Sequence, residues 1–525
     1  MGKVKFIIIT GGVISGLGKG ITAASIGRLL KSRGFRVTAI KIDPYLNCDA
    51  GTMSPYQHGE VYVMDDGGEV DLDIGHYERY LDIELSKRNN ITTGKVYLKV
   101  IEKERGGDYL GETVQIIPHV TNEIIDEVIE AADSAEVVLV EIGGTVGDIE
   151  SMPFLEAMRE LRLRVGMENI LFGHVTLVPQ IKTTGEQKTK PTQHSIMALR
   201  EIGIRPDLII ARGEKPLEKN AMEKISLFCD VEQDGIVSAP DLENPYEMVL
   251  KLDEQGLTEF IMERLNLKAG AKDLGGWTRF VESMRNPSQE IRVAIVGKYT
   301  GLKDSYLSHI ESIKHAGAKL GLKPVMKWIS AEDIERAGAA LLDGNDCILI
   351  PGGFGKRGSE GKIEACRYAR EKNIPFLGIC FGFQLAVVEY CRSVLGIEAN
   401  STEFVPDAHE PVVMILEDQN QRMGGTMRLG SCPINLIAGT RGAEIYGRER
   451  IEERHRHRYE INLDYVDRIE ERNELRFSGR SEDGFMELLE LKGHKFYMAS
   501  QFHPEFKSRP GKPAPLFLEW MRSAT

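Results

Sequence analysis

The sequence has few of the features that mark secreted, membrane-spanning or nucleic-acid-binding proteins. Its 7 cysteines in 525 residues are scattered and odd in number, which argues against a disulfide framework and favours a reducing cytoplasm. No apolar run approaches the roughly 20 residues of a bilayer-spanning helix, and no secretory leader precedes the first strand-like run. The net charge of -13 argues against broad nucleic-acid binding. We expect a cytoplasmic protein with no membrane and no nucleic acid as partner.

Both halves of the chain alternate short β-branched runs with amphipathic helical stretches. This alternation predicts an α/β fold, with two doubly wound domains built on mostly parallel sheets. A chain of 525 residues also exceeds one ordinary hydrophobic core. A polar, glycine-containing stretch separates the halves and is typical of a linker. We predict domains over residues 1–268 and 290–525, joined by a linker over residues 269–289.

The segment GICFG (residues 378–382) places Cys380 between two glycines at the end of an apolar strand. Glycines on both sides allow the sharp strand-to-helix turn that exposes a nucleophile. The N-terminus of the following helix favours the thiolate, the reactive form of cysteine. A lone cysteine in such a strand is more often a buried structural residue, so the interpretation needs partners.

Those partners are present elsewhere in the second half. His503 and Glu505 follow a strand-like run, and two positions apart on an extended backbone put both side chains on one face. A base beside an orienting carboxylate is the pattern of a catalytic triad. The turn PGGFG (residues 351–355) offers glycine amides for an oxyanion. Together these features predict a cysteine nucleophile with its base.

The motifs PGGFG, GICFGFQ and FHPEF together resemble class I glutamine amidotransferase domains. The resemblance implies Cys380 as nucleophile, His503 as base and Glu505 as its orienter. In such domains the cysteine attacks the side-chain amide of glutamine, which releases ammonia for a second active site and leaves a glutamyl thioester. The glutamine contacts implied by the family motifs are Gly353, Phe381, Gly382, Phe383, Gln384, Glu403 and Arg458. Which arginine of residues 454–458 anchors the α-carboxylate stays open.

The first half begins with a strand-like run followed by GGVISGLGKG (residues 11–20). Its backbone amides and Lys19 are suited to hold phosphates at a helix N-terminus. The usual P-loop pattern is not met, because Val13 replaces its first glycine and Gly20 replaces its serine or threonine. A magnesium ion would therefore need acidic ligands from elsewhere in the chain.

Two carboxylates are candidates for that metal. Asp73 lies in GGEVDLDIGHYERY, where Asp71 is the rival, and Glu141 ends the buried run VVLVE. Ligands gather at the carboxyl ends of parallel strands, and Mg²⁺ takes one or two carboxylates plus phosphate oxygens. Lys188 and Lys190 of KTKPTQ, with Lys224 as a third cation, are suited to a second nucleotide, although an exposed basic loop is the common alternative.

The motifs TGGVISGLGKG, KIDPYLN, DLDIGHYERY, EIGGTVGDIES, KTKPTQHS and RHRHRYE, together with the amidotransferase motifs, resemble the CTP synthase family over nearly the whole chain. The resemblance implies that ATP phosphorylates the uracil 4-oxygen of UTP and that ammonia from L-glutamine then displaces phosphate to give CTP. It also implies CTP as feedback inhibitor, GTP as allosteric activator with no recognisable site motif here, and a homotetramer that builds the UTP site across subunits.

The resemblance assigns nucleotide contacts position by position. The implied ATP contacts are Gly16, Leu17, Gly18, Lys19, Gly20 and Ile21, with Lys19 stabilising the transferring phosphoryl group; a looser match adds Pro240, Asp241 and Leu242 at the ATP base. Asp73 and Glu141 are the implied Mg²⁺ ligands. The implied UTP and CTP contacts are Ser15, Lys188, Thr189, Lys190, Pro191, Thr192, Gln193 and Lys224, with Asp148, Ile149 and Glu150 at the cytosine ring.

Two other functions compete with this interpretation. An ATP-dependent amidotransferase that amidates cofactor carboxylates would share the phosphate loop and the Cys–His–Glu set, but KTKPTQ and GTVGDIES argue against it. A nucleotide-controlled scaffold without catalysis would not need an intact triad and acidic residues. The sequence therefore favours the synthase.

Overall fold

The computed structural model describes residues 4–268, 270–298, 300–415 and 427–525. The chain divides into two compact units, the first comprising Met1–Asp49 and Asp73–Thr278 and the second Ala50–Leu72 and Arg279–Thr525. Residues 50–72, which lie inside the predicted first domain, thus belong to the second unit; the domain boundaries themselves stay a prediction. Among the described helices, none has the length and apolar character needed to cross a membrane.

Strands and helices alternate along most of the chain. The strands are β1 (Lys5–Gly11), β2 (Val37–Asp43), β3 (Tyr62–Val63), β4 (Glu69–Val70), β5 (Asn90–Thr92), β6 (Val137–Ile142), β7 (Ile170–Leu177), β8 (Leu208–Gly213), β9 (Ile236–Pro240), β10 (Gln289–Gly297), β11 (Leu322–Ser330), β12 (Cys347–Ile350), β13 (Phe376–Ile379), β14 (Ala399–Ser401), β15 (Glu410–Ile415), β16 (Arg428–Leu436), β17 (Arg450–His457), β18 (Tyr459–Ile461), β19 (Leu475–Ser481), β20 (Met486–Leu491) and β21 (Tyr497–Ser500).

The helices follow the same order. They are α1 (Lys19–Ser32), α2 (Pro55–His58), α3 (Leu72–Leu81), α4 (Thr93–Gly106), α5 (Thr121–Ala132), α6 (Met152–Val165), α7 (Lys190–Glu201), α8 (Lys219–Cys229), α9 (Glu247–Asp253), α10 (Leu257–Arg264), α11 (Gly275–Arg285), α12 (Leu307–Leu320), α13 (Ala331–Ala337), α14 (Ser359–Glu371), α15 (Phe381–Ser393), α16 (Arg441–Tyr446), α17 (Val466–Glu470) and α18 (Pro515–Arg522).

The first unit is built on a parallel sheet with the strand order β5-β2-β6-β1-β7-β8-β9. Alternate residues of each strand face opposite sides of the sheet, so the β-branched runs fill two cores. Ile8 and Val140 pack in a core with α5 and α6, whereas Leu139 faces α1, where only a glycine, Gly27, leaves room for it. Because all seven strands are parallel, their carboxyl ends and the following loops meet at one edge.

The second unit is built on a sheet with the order β11-β10-β12-β13-β21-β20-β19-β16-β17. The strands from β11 to β21 pair in parallel, and those from β21 to β17 pair antiparallel. The α/β prediction is confirmed for both units, and the antiparallel half is an extension that the sequence patterns did not reveal. Ile348 packs against α14 and α15, and its neighbour Leu349 packs against α12 and α18, so helices cover both faces of the parallel half.

The predicted linker contains a helix. Trp277 of α11 is 4% exposed, donates from Nε1 to the backbone oxygen of Tyr246 at 2.9 Å, and packs beside Tyr80. The polar composition of this stretch predicted a linker because it gave no weight to a single large buried side chain, Trp277. Residue 269, at the start of the predicted linker, lies outside the described residues.

Candidate active sites

Cys380 occupies the turn between β13 and α15, with φ 54° and ψ -102°. This is an uncommon backbone conformation for a residue other than glycine, and such strain is concentrated at functional sites. The flanking glycines are required by packing, since a Cβ on Gly378 would lie 2.9 Å from the Gly382 backbone and one on Gly382 would overlap the Ile350 carbonyl. The turn has the strand-to-helix geometry that the GICFG motif predicts.

His503 and Glu505 are buried just after β21, the strand next to β13. His503 Nδ1 lies 2.6 Å from Glu505 Oε1. The pairing was predicted, but its reason was wrong: Pro504–Lys507 is a 3-10 turn rather than extended backbone. A Cβ on Gly352 would lie 3.2 Å from His503 Cε1 and 3.7 Å from Cys380 Cβ, so both side chains face the PGGFG loop.

The electrostatics of the pair suit an acid–base role. Burial lowers the pKa of His503, but Glu505 and the Cys380 thiolate raise it more, to about 10. Burial raises the pKa of Glu505, but His309 and His503 lower it more, so Glu505 stays ionised. His503 is therefore a proton donor at neutral pH.

A cavity of about 640 Å³ in the second unit surrounds these groups. Four of the predicted glutamine contacts line it: Gly353, Gln384, Glu403 and Arg458. The other three, Phe381, Gly382 and Phe383, lie buried in the first turn of α15. The cavity wall also includes residues 51–55, 60 and 61, which belong to this unit and which the sequence analysis did not connect with the site.

The arginines of RHRHRYE have different positions. Arg454 is fully buried, and its guanidinium bonds to Asp65 and, at 3.0 Å, to Tyr62 Oη. Arg456 and Arg458 line the cavity, and Arg456 Nε donates to Glu69 Oε1 at 2.9 Å. This geometry favours Arg456 or Arg458 over Arg454 as the anchor for a carboxylate.

Sequence reasoning missed two buried groups near the triad. His309 of α12 lies 3.3 Å from Glu505 Oε1, and burial lowers its pKa to about 4. Lys362 of α14 is fully buried and donates to the backbone oxygen of Pro351 at 2.9 Å. Neither lies in a motif; the only signal is a charged or polar side chain at a helix position that faces the core.

In the first unit, the loop after β1 turns through positive φ values at Val13, Gly16 and Gly18 before α1 begins at Lys19. The α1 N-terminus has no side-chain cap, so its first amides face the loop as a phosphate-binding terminus requires. Lys19 Nζ donates to the Gly144 backbone oxygen at 2.6 Å, and burial lowers the pKa of Lys19. The lysine thus crosses the carboxyl edge between β1 and β6.

Gly20 has a specific structural reason. A Cβ at this position would overlap the carboxylate of Asp73, which occupies the place where a hydroxyl side chain after Lys19 would begin. Asp71, the rival candidate, falls in the second unit. The chain therefore places a carboxylate at the point where a usual P-loop supplies its magnesium-binding hydroxyl.

Lys41 of β2 joins the two predicted metal ligands. Its ammonium hydrogen-bonds to Asp73 and lies 2.9 Å from Glu141 Oε1. Burial raises the pKa of Asp73, but Lys41 and His76 lower it more; burial raises the pKa of Glu141 more than Lys41 lowers it. The sequence analysis did not identify Lys41. The feature that could have indicated it is a single lysine within the mostly buried strand β2.

The remaining predicted nucleotide residues follow strands of the same sheet. Lys190 begins α7, and its ammonium lies 5.6 Å from the centre of the Phe228 ring. Lys188 pairs with Glu186 at 2.6 Å, and Lys224 is exposed on α8.

Asp148–Glu150 lie exposed after β6, and Pro240–Leu242 lie at the end of β9, where Asp241 pairs with Arg212. Ser15 and Gly16 are exposed in the loop after β1.

Comparison with known proteins covers almost the whole chain. A family profile described as CTP synthase N-terminus matches residues 5–267, and one described as glutamine amidotransferase class-I matches residues 301–522. CTP synthase of Thermococcus gammatolerans is 57% identical over 99% of this chain and 98% of its own length. CTP synthase of Thermococcus kodakarensis is 58% identical over 98% of this chain and 97% of its own length.

The chain belongs to the CTP synthase family. It is a glutamine-dependent carbon–nitrogen ligase with a synthase part and a class I amidotransferase part. Among solved structures, the glutaminase domain of Trypanosoma brucei CTPS with bound acivicin is 36% identical, with a TM-score of 0.42, over 45% of this chain and 93% of its own length. Membership of the CTP synthase family implies UTP, ATP and glutamine as substrates.

Proposed function

We propose that this chain converts UTP to CTP through a 4-phosphorylated intermediate and uses ammonia released from glutamine at Cys380. One observation carries the glutaminase half of this proposal: Cys380 and His503 lie beside Gly352 in one cavity, and Glu505 is bonded to the His503 imidazole. The synthase half rests on the phosphate loop, whose Gly20 leaves space for Asp73. A cofactor-carboxylate amidotransferase is not favoured, because the chain belongs to a different family.

In the glutaminase reaction, the Cys380 thiolate attacks the side-chain carbonyl carbon of glutamine. A carbon–sulfur bond forms and the carbonyl π electrons move to oxygen, which the loop amides stabilise. His503 gives its proton to the departing nitrogen, the carbon–nitrogen bond breaks and ammonia leaves. Water then attacks the thioester and gives a proton to His503; the carbon–sulfur bond breaks, which yields glutamate and restores the Cys380 thiolate beside a protonated His503. Glu505, bonded to His503 Nδ1, keeps the imidazole oriented in both steps and favours its charged form before ammonia leaves and after water is added.

In the synthase reaction, the 4-oxygen of UTP attacks the γ-phosphorus of ATP, and ADP leaves. Ammonia attacks carbon 4 of the ring, phosphate departs, and loss of a proton completes CTP. We assign Lys19 to the charge that develops on the transferring phosphoryl group. Lys41, between Asp73 and Glu141, keeps both carboxylates oriented.

The residues at this point fit a magnesium ion. Asp73 and Glu141 supply two oxygen ligands, and the described side chains offer no cluster of three or more metal-ligating groups, so phosphate oxygens would complete the shell. When bound, the ion would offset the repulsion between two triphosphates. Lys41 balances the charge of Asp73 and Glu141 whether or not a nucleotide is bound.

The proposed UTP and CTP contacts are Ser15, Lys188–Gln193 and Lys224, with Asp148–Glu150 at the cytosine ring of the inhibitor CTP. The ATP contacts are residues 16–21, with Pro240–Leu242 at the base. GTP as activator, ammonia transfer between the two active sites and a cytoplasmic location complete the proposal. The proposal also includes a homotetramer.

One assay tests this function as a whole. The purified chain with UTP, ATP, Mg²⁺ and glutamine is expected to produce CTP, followed by the absorbance change as uracil becomes cytosine. Removal of Mg²⁺ by a chelator is expected to stop CTP formation without stopping glutaminase chemistry, because the proposed metal ligands belong to the synthase half. No CTP from either glutamine or ammonium would contradict the proposal.

The role of Glu505 predicts a change in pH dependence. In Glu505→Gln, the charge that raises the pKa of His503 is lost while the burial that lowers it remains. The pKa of His503 should fall, so the alkaline limb of glutaminase activity, where His503 loses its proton, should move to lower pH. Activity should drop by about 10²–10⁴-fold, the usual share of a positioned acid or base.

The measurement is the rate of glutamate formation between pH 6 and about 11, a range that brackets the ordinary and raised pKa of this histidine. Glu398→Gln, an exposed glutamate of the same unit outside the cavity wall, is the matched control and should keep both rate and profile. An alkaline limb that stays in place in Glu505→Gln would contradict the assigned role.

A further inference from the structure

The loop Pro351–Gly355 is held from behind by a buried lysine. Lys362 of α14 has no exposed surface, and its ammonium donates to the backbone oxygen of Pro351 at 2.9 Å and of Gly352 at 3.4 Å. It also lies 5.3 Å from the ring centre of Phe381, the residue after Cys380. A fully buried lysine is rare and costly unless its charge or its donors are used.

A second lysine holds the other end of the loop. Lys298, at the end of β10, donates to the backbone oxygens of Phe354 and Gly355 and lies 5.0 Å from the same Phe381 ring. Two side chains thus bind four of the five carbonyl oxygens of PGGFG. The loop lies between β12 and α14 and belongs to neither. Among the described residues, no backbone N–H group donates to these four oxygens outside the helices and strands.

Binding a carbonyl oxygen also orients an amide hydrogen. In a planar trans peptide, the C=O of one residue and the N–H of the next point in opposite directions. The peptide between Phe354 and Gly355 shows this arrangement, since the Phe354 oxygen accepts from Lys298 while the Gly355 N–H donates to Glu403 on the other side. By the same geometry, Lys362 turns the N–H groups of Gly352 and Gly353 away from itself.

The two glycines lie at the cavity, and the lysine lies behind them. Gly352 and Gly353 line the cavity with Cys380 and His503, whereas Lys362 does not line it. Gly352 is also the point at which Cys380 and His503 converge. An N–H group that points away from Lys362 is therefore available on the cavity side of the peptide, where the carbonyl oxygen of the substrate amide would become negative.

We infer that Lys362 is a positioning residue of the glutaminase: it fixes the Pro351–Gly353 peptides so that their N–H groups form the oxyanion site. This rests on the proposed role of Cys380. Burial and the nearby Lys298 lower the pKa of Lys362 to about 7, but the neutral amine keeps two N–H donors. The positioning effect therefore persists when the proton is lost.

The test uses the full-length enzyme and the variant Lys362→Met, which keeps the length of the side chain and removes its donors. The turnover number for glutamine should fall by about 10- to 100-fold, less than the 10²–10³ lost when an oxyanion donor is deleted outright, with KM nearly unchanged. The γ-aldehyde analogue of glutamine, whose adduct with Cys380 carries the oxyanion, should bind more weakly by a similar factor. CTP formation from ammonium should stay at the wild-type rate.

Lys372→Met, an exposed lysine just after α14, is the matched control and should change none of these quantities. A merely structural role for Lys362 would weaken glutamine and aldehyde binding in parallel, and that outcome would overturn the inference, as would unchanged aldehyde affinity. If Lys362→Met does not fold, Lys362→Gln keeps a shorter N–H donor and should lose part of the aldehyde affinity; full retention overturns the inference. Failure of the proposed function is distinct, because glutaminase activity would then survive in Cys380→Ala.

Discussion

Replacing Cys380 with alanine is expected to abolish CTP formation from glutamine while leaving formation from ammonium intact. The Cys380 sulfur forms the carbon–sulfur bond, and among the described residues that line the cavity no other carries a thiol. Loss of a nucleophile commonly costs about 10⁴-fold or more in turnover. Ammonium supplies the same nitrogen without this step, so the synthase half should run at its usual rate.

The measurement follows CTP by absorbance with each nitrogen source in turn. Cys432→Ala replaces a partly exposed cysteine of the same unit outside the cavity wall and should retain both activities. If Cys380→Ala folded normally but lost both activities, that result would contradict a model in which the glutaminase site only supplies ammonia to a separate synthase site. Survival of the glutamine-dependent rate would show that another group is the nucleophile.

Replacing Lys19 with alanine is expected to abolish CTP formation from both nitrogen sources. The Lys19 ammonium crosses from α1 to Gly144 at the carboxyl edge of the sheet, beside Asp73 and Glu141. A cation held there stabilises charge on a transferring phosphoryl group, and its removal should lower the rate by about 10²–10³-fold or more. The basal glutaminase reaction uses none of these groups and should persist.

The readouts are CTP formation and, separately, glutamate formation without nucleotides. Lys251→Ala removes a lysine of α9 that pairs with Glu254, and it should behave like the wild type. CTP formation at the normal rate in Lys19→Ala would refute its phosphoryl-transfer role. Equal loss of glutamate formation would instead indicate damage to the fold.

Local sequence was sufficient where the chemistry is local. The glycines around Cys380 predicted its strained turn, and the spacing of His503 and Glu505 predicted their pairing even though the backbone there is a 3-10 turn. The β-branched runs and the helical stretches between them predicted the parallel sheet of the first unit, because strands that are apolar on both faces need helices to cover each face. The antiparallel half of the second sheet was not predicted, since hairpin signals are weak in buried strands.

The buried side chains that contact the predicted site residues could not be predicted. Lys41, His309 and Lys362 are separated from the groups they contact by between 10 and 196 residues, and each looks in sequence like an ordinary helix or strand position. The packing of the Asp73 carboxylate against Gly20, which leaves no room for a side chain after Lys19, likewise could not be predicted. Residues 50–72 belong to the second unit through contacts such as Arg454 with Tyr62, which no local pattern encodes.

The sequence by itself determined the chemistry of this protein: a cysteine on a glycine-flanked turn, a histidine with its carboxylate, and a phosphate loop whose lysine is followed by glycine. Those features depend on residues within a few positions of one another, whose geometry the backbone sets directly. The tertiary structure alone decided what surrounds them, namely the packing of Asp73 against Gly20 and the lysines that hold the Pro351–Gly355 loop. Such groups meet only when distant strands and helices pack, and packing is a property of the whole core.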